Sequence, residues 1–211
     1  MPHKLPRGLY ALIDDAVRPE RSLVDKARAA LEGGAPVLQL RLETTADRPA
    51  LEAIRAVVAL ARPRDARVIV NDRVDLCLAG GADGVHLGAD DLPPSVARRL
   101  LGVEAMIGAT TRSLEDIEQA KAAGADHVGL GPIFPTATKE VGHPPLGLER
   151  FAQLVRASPL PVVGIGGITL GTIAEVAKAG ATCAAVAGEL LRADDLLTRA
   201  RDLHRAFLAA R

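Results

Sequence analysis

Two aspartates, Asp72 and Asp91, each follow a short apolar run in this chain, in the strings Val70-Asn71-Asp72-Arg73 and His86-Leu87-Gly88-Ala89-Asp90-Asp91. If the two runs are neighbouring strands, both carboxylates leave one sheet edge and can converge on a single hard cation. Mg²⁺ suits such a pair, because it takes oxygen ligands and is commonly held by one or two carboxylates plus substrate phosphates. Either aspartate could instead cap the following helix, a role that Asp91 before Pro93-Pro94 fits. A third run ends Gln39-Leu40-Arg41-Leu42-Glu43, and strand alternation puts Val37, Gln39, Arg41 and Glu43 on one inward face. A guanidinium facing inward needs an anion, either a neighbouring carboxylate or a ligand.

Further strings suit phosphate. The stretch Gly129-Leu130-Gly131-Pro132-Ile133-Phe134-Pro135-Thr136-Ala137-Thr138-Lys139 brings a turn, the hydroxyls of Thr136 and Thr138 and the Lys139 ammonium together. Hydroxyls and a lysine are common phosphate partners, although an ordinary polar loop has a similar composition. Gly166-Gly167 and Ala187-Gly188 follow two later runs, where backbone N–H groups can face a phosphate at a short helix N-terminus. A metal pair, two cations and a separate backbone cradle imply two phosphorylated groups, one of them leaving as a metal-bound anion.

The elements that must position these residues alternate from end to end. Strands are expected at 9–14, 37–42, 67–71, 84–87, 105–109, 127–130, 161–165 and 183–187. Helices are expected at 20–33, 46–62, 73–80, 94–101, 113–123, 147–157, 170–179 and 190–209. Gly34-Ala35, Gly81-Ala82-Asp83, Gly124-Ala125-Asp126 and Gly180-Ala181-Thr182 form a weak repeat, each closing a helix and entering a strand. Eight βα units predict a (β/α)₈ TIM barrel, with residues 1–211 as a single domain. A doubly wound open sheet would more often carry a glycine-rich turn after the first strand, where this chain has Ile13-Asp14-Asp15-Ala16-Val17.

Composition narrows the partners. Apolar residues make up 48% but aromatics only 2%, so the core is built from small aliphatics, as in sheets covered on both faces. Lys plus Arg and Asp plus Glu are both 26, which argues against nucleic acid or an acidic membrane surface. Cys77 and Cys183 lack metal-ligand or redox spacing and are expected to be buried thiols. No apolar run resembles a signal peptide or a membrane span, so the expected location is the cytoplasm. Assembly into a homo-oligomer stays open.

Nearly the whole chain resembles the thiamine phosphate synthase family. The strings that carry the resemblance are Val70-Asn71-Asp72-Arg73-Val74-Asp75, Gly81-Ala82-Asp83-Gly84-Val85-His86-Leu87-Gly88 to Asp91-Leu92, Gly131-Pro132-Ile133-Phe134-Pro135-Thr136 to Thr138-Lys139, and Gly164-Ile165-Gly166-Gly167-Ile168. That family joins a hydroxymethylpyrimidine diphosphate to a thiazole phosphate and releases diphosphate. The resemblance implies that Asp72 and Asp91 hold Mg²⁺ against the diphosphate, and that Arg41, Asn71 and Lys139 contact the same substrate. It places Gln39 and Thr110 near the pyrimidine, and Thr136, Thr138, Gly167, Ala187 and Gly188 at the thiazole phosphate. Arg41 and Lys139 would be the catalytic cations.

Some positions depart from the family pattern. Leu42-Glu43 stands where Glu-Lys is expected, exchanging a cation for an anion, with Arg73 and Arg112 as candidates to compensate. Thr110 stands where Ser is usual, and Arg112 where His is frequent. A related thiazole tautomerase has typically lost the aspartate pair, which this chain keeps. The tautomerase and a non-catalytic thiazole-phosphate-binding paralogue are the alternatives. His86 reads as structural and His143 as a loop residue.

Overall fold

In a computed structural model that describes residues 5–136 and 144–210, eight parallel strands close a barrel in chain order, and the last pairs with the first. The strands are β1 (Gly8–Asp14), β2 (Val37–Arg41), β3 (Arg67–Asn71), β4 (Gly84–Leu87), β5 (Met106–Thr111), β6 (His127–Leu130), β7 (Val162–Ile165) and β8 (Cys183–Val186). The helices are α1 (Leu23–Glu32), α2 (Asp47–Ala61), α3 (Val74–Gly80), α4 (Pro94–Leu101), α5 (Leu114–Ala122), α6 (Leu148–Ala157), α7 (Ile173–Lys178), α8 (Gly188–Leu191) and α9 (Leu196–Ala209). The chain is a (β/α)₈ barrel.

Alternation along each strand divides the core in two. Tyr10, Leu12, Val37, Ile69, Met106, Val163, Cys183 and Ala185 fill the barrel interior, closed at one end by Leu5. Their strand neighbours Leu9, Ala11, Ile13, Leu38, Leu40, Val68 and Val70 face outward into the layer covered by helices. Away from the cavity mouth, most strand residues are buried on both faces, which explains the near-continuous apolar runs of the sequence. The repeated glycines behave as expected at helix ends: Gly34, Gly81, Gly124 and Gly180 all have positive φ. Both cysteines are buried free thiols, and desolvation pushes each up to about 12.

The last helical segment differs from the sequence expectation. Instead of one helix over 190–209, the one-turn α8 follows β8 and the long α9 starts afresh at Leu196. The Asp195 carboxylate caps α9 by accepting the Thr198 N–H at 2.9 Å. Arg21, from the β1–α1 connection, donates to the carbonyls of Ala193 and Asp194, both at 3.0 Å, and fixes the break. The second strand also stops one residue early, at Arg41 rather than Leu42, and β5 runs on through Thr110 to Thr111. Among the described residues, no helix is long and apolar enough to cross a membrane.

Candidate active site

A cavity of about 580 Å³ opens at the C-terminal ends of the strands. That end of such a barrel is where the βα connections gather functional groups. Gln39, Arg41, Asn71, Asp72, Asp91, Thr110, Thr136, Gly167, Ala187 and Gly188 all line it. Thr138, Lys139 and His143 lie outside the described residues.

One wall is acidic. Asp72 and Asp91 reach the cavity from the exits of the paired strands β3 and β4, whose register sets Asn71 beside His86. Neither caps the following helix. The Asp91 Oδ2 accepts the Gly88 N–H at 2.6 Å, turning its own strand exit back on itself. The Asp72 Oδ2 accepts from the Asn71 amide at 2.6 Å, and the Asp72 N–H donates to the His86 carbonyl at 2.8 Å. Asp72 also sits in the left-handed region with φ 60, a conformation that strains a non-glycine residue by about 1–2 kcal/mol. Among the described residues, no group of three or more His, Cys, Asp or Glu side chains is arranged to hold a metal. Two carboxylates at one rim of the cavity, Asp72 and Asp91, fit Mg²⁺, which keeps waters and takes substrate phosphate oxygens.

The floor is neutral and polar. Gln39 donates to the Tyr10 hydroxyl at 3.1 Å and accepts from Arg41 Nε at 3.3 Å, so the inward-facing residues of β2 meet partners from within the barrel. His86 shares a hydrogen bond with the Thr110 hydroxyl at 3.0 Å. The His86 and His127 rings pack beside Gly108, where a Cβ would lie 2.5 Å from His86 Nδ1 and 2.4 Å from His127 Nε2. Desolvation, then the neighbouring His127 and Arg41, pushes the His86 pKa far down and keeps the ring neutral. Burial likewise pushes His127 down to about 4, and neither of its ring nitrogens finds a partner among the described residues. Tyr10 is pushed up by desolvation and stays a neutral phenol.

The opposite wall is glycine and backbone. Gly167 has φ 64, and a Cβ there would lie 2.3 Å from the Pro135 carbonyl oxygen, so only glycine lets these two loops meet. Phe134 N–H donates to Gly166 O at 3.1 Å and Ile133 N–H to Ile165 O at 2.9 Å, which seats the β6 exit on β7. Across from it, Ala187 and Gly188 begin α8.

Some expectations are corrected. Glu43 does not continue the inward face of β2: it is exposed and does not line the cavity. The buried Asp15 carboxylate turns the chain outward after Arg41, accepting the N–H groups of Glu43, Thr44 and Thr45 at 3.1, 2.9 and 2.9 Å. Arg73 does not substitute for a missing cation, because its guanidinium is engaged by Asp75 and Asp47 at 2.6 and 2.9 Å, away from the cavity. Arg112 donates instead to the carbonyls of Gly131 and Pro144. Tyr10, His86, Thr169 and Arg192 line the cavity but are absent from the site read out of the sequence. Helical spacing runs Arg192 into one continuous last helix, whereas the break after α8 leaves it at the mouth. The Asp194-Asp195 pair before Leu196 was the available sign of that break.

A sequence model of the family described as thiamine monophosphate synthase matches residues 9–190. The chain belongs to that family. The thiamine-phosphate synthase of Myxococcus xanthus is 56% identical over 206 residues, covering 98% of this chain and 94% of that protein. The one from Anaeromyxobacter dehalogenans is 50% identical, covering 97% and 89%. A solved thiamine phosphate pyrophosphorylase from Pyrococcus furiosus superposes with a TM-score of 0.87 at 36% identity, covering 96% of each chain.

Proposed function

We propose that this chain is a thiamine phosphate synthase, joining hydroxymethylpyrimidine diphosphate to thiazole phosphate with release of diphosphate. One observation carries the reading: a single cavity presents an acidic wall with an inward cation and, separately, a backbone cradle, with neutral groups between them. Those are the requirements of two phosphorylated substrates that meet through uncharged rings. The retained Asp72 and Asp91 favour a synthase over a tautomerase, which needs no metal.

In this reading Asp72 and Asp91 hold Mg²⁺, which would neutralise charge on the departing diphosphate. Arg41 and Lys139 are the catalytic cations, binding the diphosphate with Asn71 and stabilising the charge that grows as its C–O bond breaks. Gln39 and Thr110 hold the pyrimidine. Thr136, Thr138, Gly167, Ala187 and Gly188 hold the thiazole phosphate, so the thiazole nitrogen faces the methylene carbon. The C–O electron pair leaves with diphosphate and the nitrogen lone pair forms the new C–N bond. No proton is removed, in keeping with a floor of neutral His86 and Tyr10. Action as one domain in the cytoplasm, on small phosphorylated substrates and without nucleic acid or membrane partners, belongs to the same proposal. A homo-oligomer is compatible with it.

The test is synthesis from both substrates with and without Mg²⁺. Thiamine phosphate should form only with the metal. No product at any Mg²⁺ concentration would reject the synthase reading.

A further inference from the structure

Arg112, at the end of β5, reaches across to the connection between β6 and α6. Its guanidinium donates to the Gly131 carbonyl at 3.2 Å and to the Pro144 carbonyl at 3.0 Å. Those carbonyls stand on the outgoing and returning limbs of that connection, which also carries Thr136 to the cavity. Further along, main-chain bonds join the same limbs: Leu146 N–H to Pro132 O at 2.8 Å and Gly147 N–H to Ile133 O at 3.1 Å. The outgoing limb is seated on β7, but among the described residues Arg112 is the side chain seen to grip both limbs.

The arginine is itself anchored. Its backbone N–H and that of Ser113 donate to Asp116 Oδ2 at 2.8 and 2.9 Å, and Ser113 completes a capping box at the start of α5. The guanidinium thus projects from a fixed base. A planar fork with several N–H donors can bridge two carbonyls at a defined separation, which a single ammonium does poorly.

We infer that Arg112 is a positioning residue that clasps the two limbs of the β6–α6 connection and so holds Thr136 against the cavity. The inference rests on the reading of that side of the cavity as the thiazole phosphate site. Arg112 does not touch the cavity, so its effect on turnover is transmitted through the connection it grips.

The experiment compares wild type, Arg112→Ala and Arg112→Lys by amide hydrogen exchange and by steady-state kinetics with each substrate varied. In Arg112→Ala, exchange at Leu146 and Gly147 should speed up by about 10-fold or more, because the clasp no longer opposes local opening. KM for the thiazole phosphate should rise by about 10-fold, with the pyrimidine diphosphate KM changing by less than about twofold. Guanidinium ion at roughly 10 mM should recover part of the lost affinity by refilling the donor fork, and Arg112→Lys should fall between the two. Unchanged exchange at Leu146 and Gly147, or a rise in KM that guanidinium does not reverse, overturns the clasp. Exchange reports on the clasp without turnover, so a wild type that makes no thiamine phosphate would reject the functional reading alone.

Discussion

Asp15 holds Thr45 twice, its Oδ2 accepting the backbone N–H at 2.9 Å and the side-chain hydroxyl at 2.8 Å. With the N–H groups of Glu43 and Thr44 also bound, one carboxylate just past the end of β1 organises the chain leaving β2 immediately after Arg41. The Asp15 N–H donates to the Arg41 carbonyl at 3.1 Å, so the residue that ends β2 and the turn that follows share one anchor.

Removing that carboxylate should be costly and its cost should depend on pH. Burial pushes the Asp15 carboxyl up, but hydrogen bonds from Thr45, Thr44 and Glu43 outweigh it and hold the group below its ordinary value. A depressed folded pKa contributes stability that is present above the unfolded value of about 3.9 and is lost as pH falls through the folded one. Asp15→Ala should lose about 2 kcal/mol at neutral pH, since it orphans several N–H groups. Urea unfolding should show that difference constant down to about pH 5 and shrinking below about pH 4. A gap that widens in acid contradicts the assignment.

Asp72 sets function against stability. Its φ of 60 suits glycine, so Asp72→Gly should be more stable than Asp72→Ala by about 1 kcal/mol. On the metal-holding role proposed for Asp72, both variants should lose synthesis by about 100-fold or more. Thermal unfolding beside the Mg²⁺-dependent assay checks both. Equal stability of the two variants would mean the backbone is relaxed at this position.

Much of this was legible in the sequence, for a physical reason. Strand order and the C-terminal mouth follow from period and chain order, so Asp72, Asp91, Arg41 and the glycines at 167 and 188 could be gathered without coordinates. What escaped depends on where a strand stops. Period-2 alternation carried Glu43 inward because nothing local announces that Asp15, 28 positions earlier, captures its N–H. The same limit hid Arg192, whose position depends on Arg21 gripping the break between α8 and α9. The setting of His86 in the cavity floor is equally non-local, because its partners, Thr110 and the bare face of Gly108, lie on a neighbouring strand.

Gly108→Ala tests that floor. The new Cβ would overlap both histidine rings; fully buried His127 has no room to retreat, and His86 can yield only by moving into the cavity it lines. Overpacking of this kind destabilises by about 1–3 kcal/mol. Displacement of His86 should also raise KM for the pyrimidine diphosphate. Wild-type stability in denaturant would show that the rings have room to move.

Gly167→Ala should act on the other substrate. A Cβ only 2.3 Å from the Pro135 carbonyl oxygen forces the β7 exit and the Thr136 limb apart. A shift of about 1 Å in a phosphate cradle weakens positioning by about 10- to 100-fold. KM for the thiazole phosphate should therefore rise while Mg²⁺ dependence stays as in wild type. Titrating each substrate at saturating concentrations of the other separates the effects, and a loss confined to the diphosphate substrate would misplace the cradle.

Glu43 and Arg41 are two residues apart and should differ sharply in effect. Glu43 is exposed and turned out of the cavity, while Arg41 lines it and bonds to Gln39. An exposed charge in water acts weakly on a distant ligand, so Glu43→Gln should change kcat/KM by less than about threefold. Arg41→Ala removes an inward cation from a desolvated site and should cost about 100-fold or more. Steady-state kinetics at two ionic strengths distinguish them, since salt should erase whatever small effect Glu43→Gln has. If Glu43→Gln instead speeds synthesis by about 10-fold at both salts, the carboxylate must reach the diphosphate directly, and the outward turn built by Asp15 is not the working geometry.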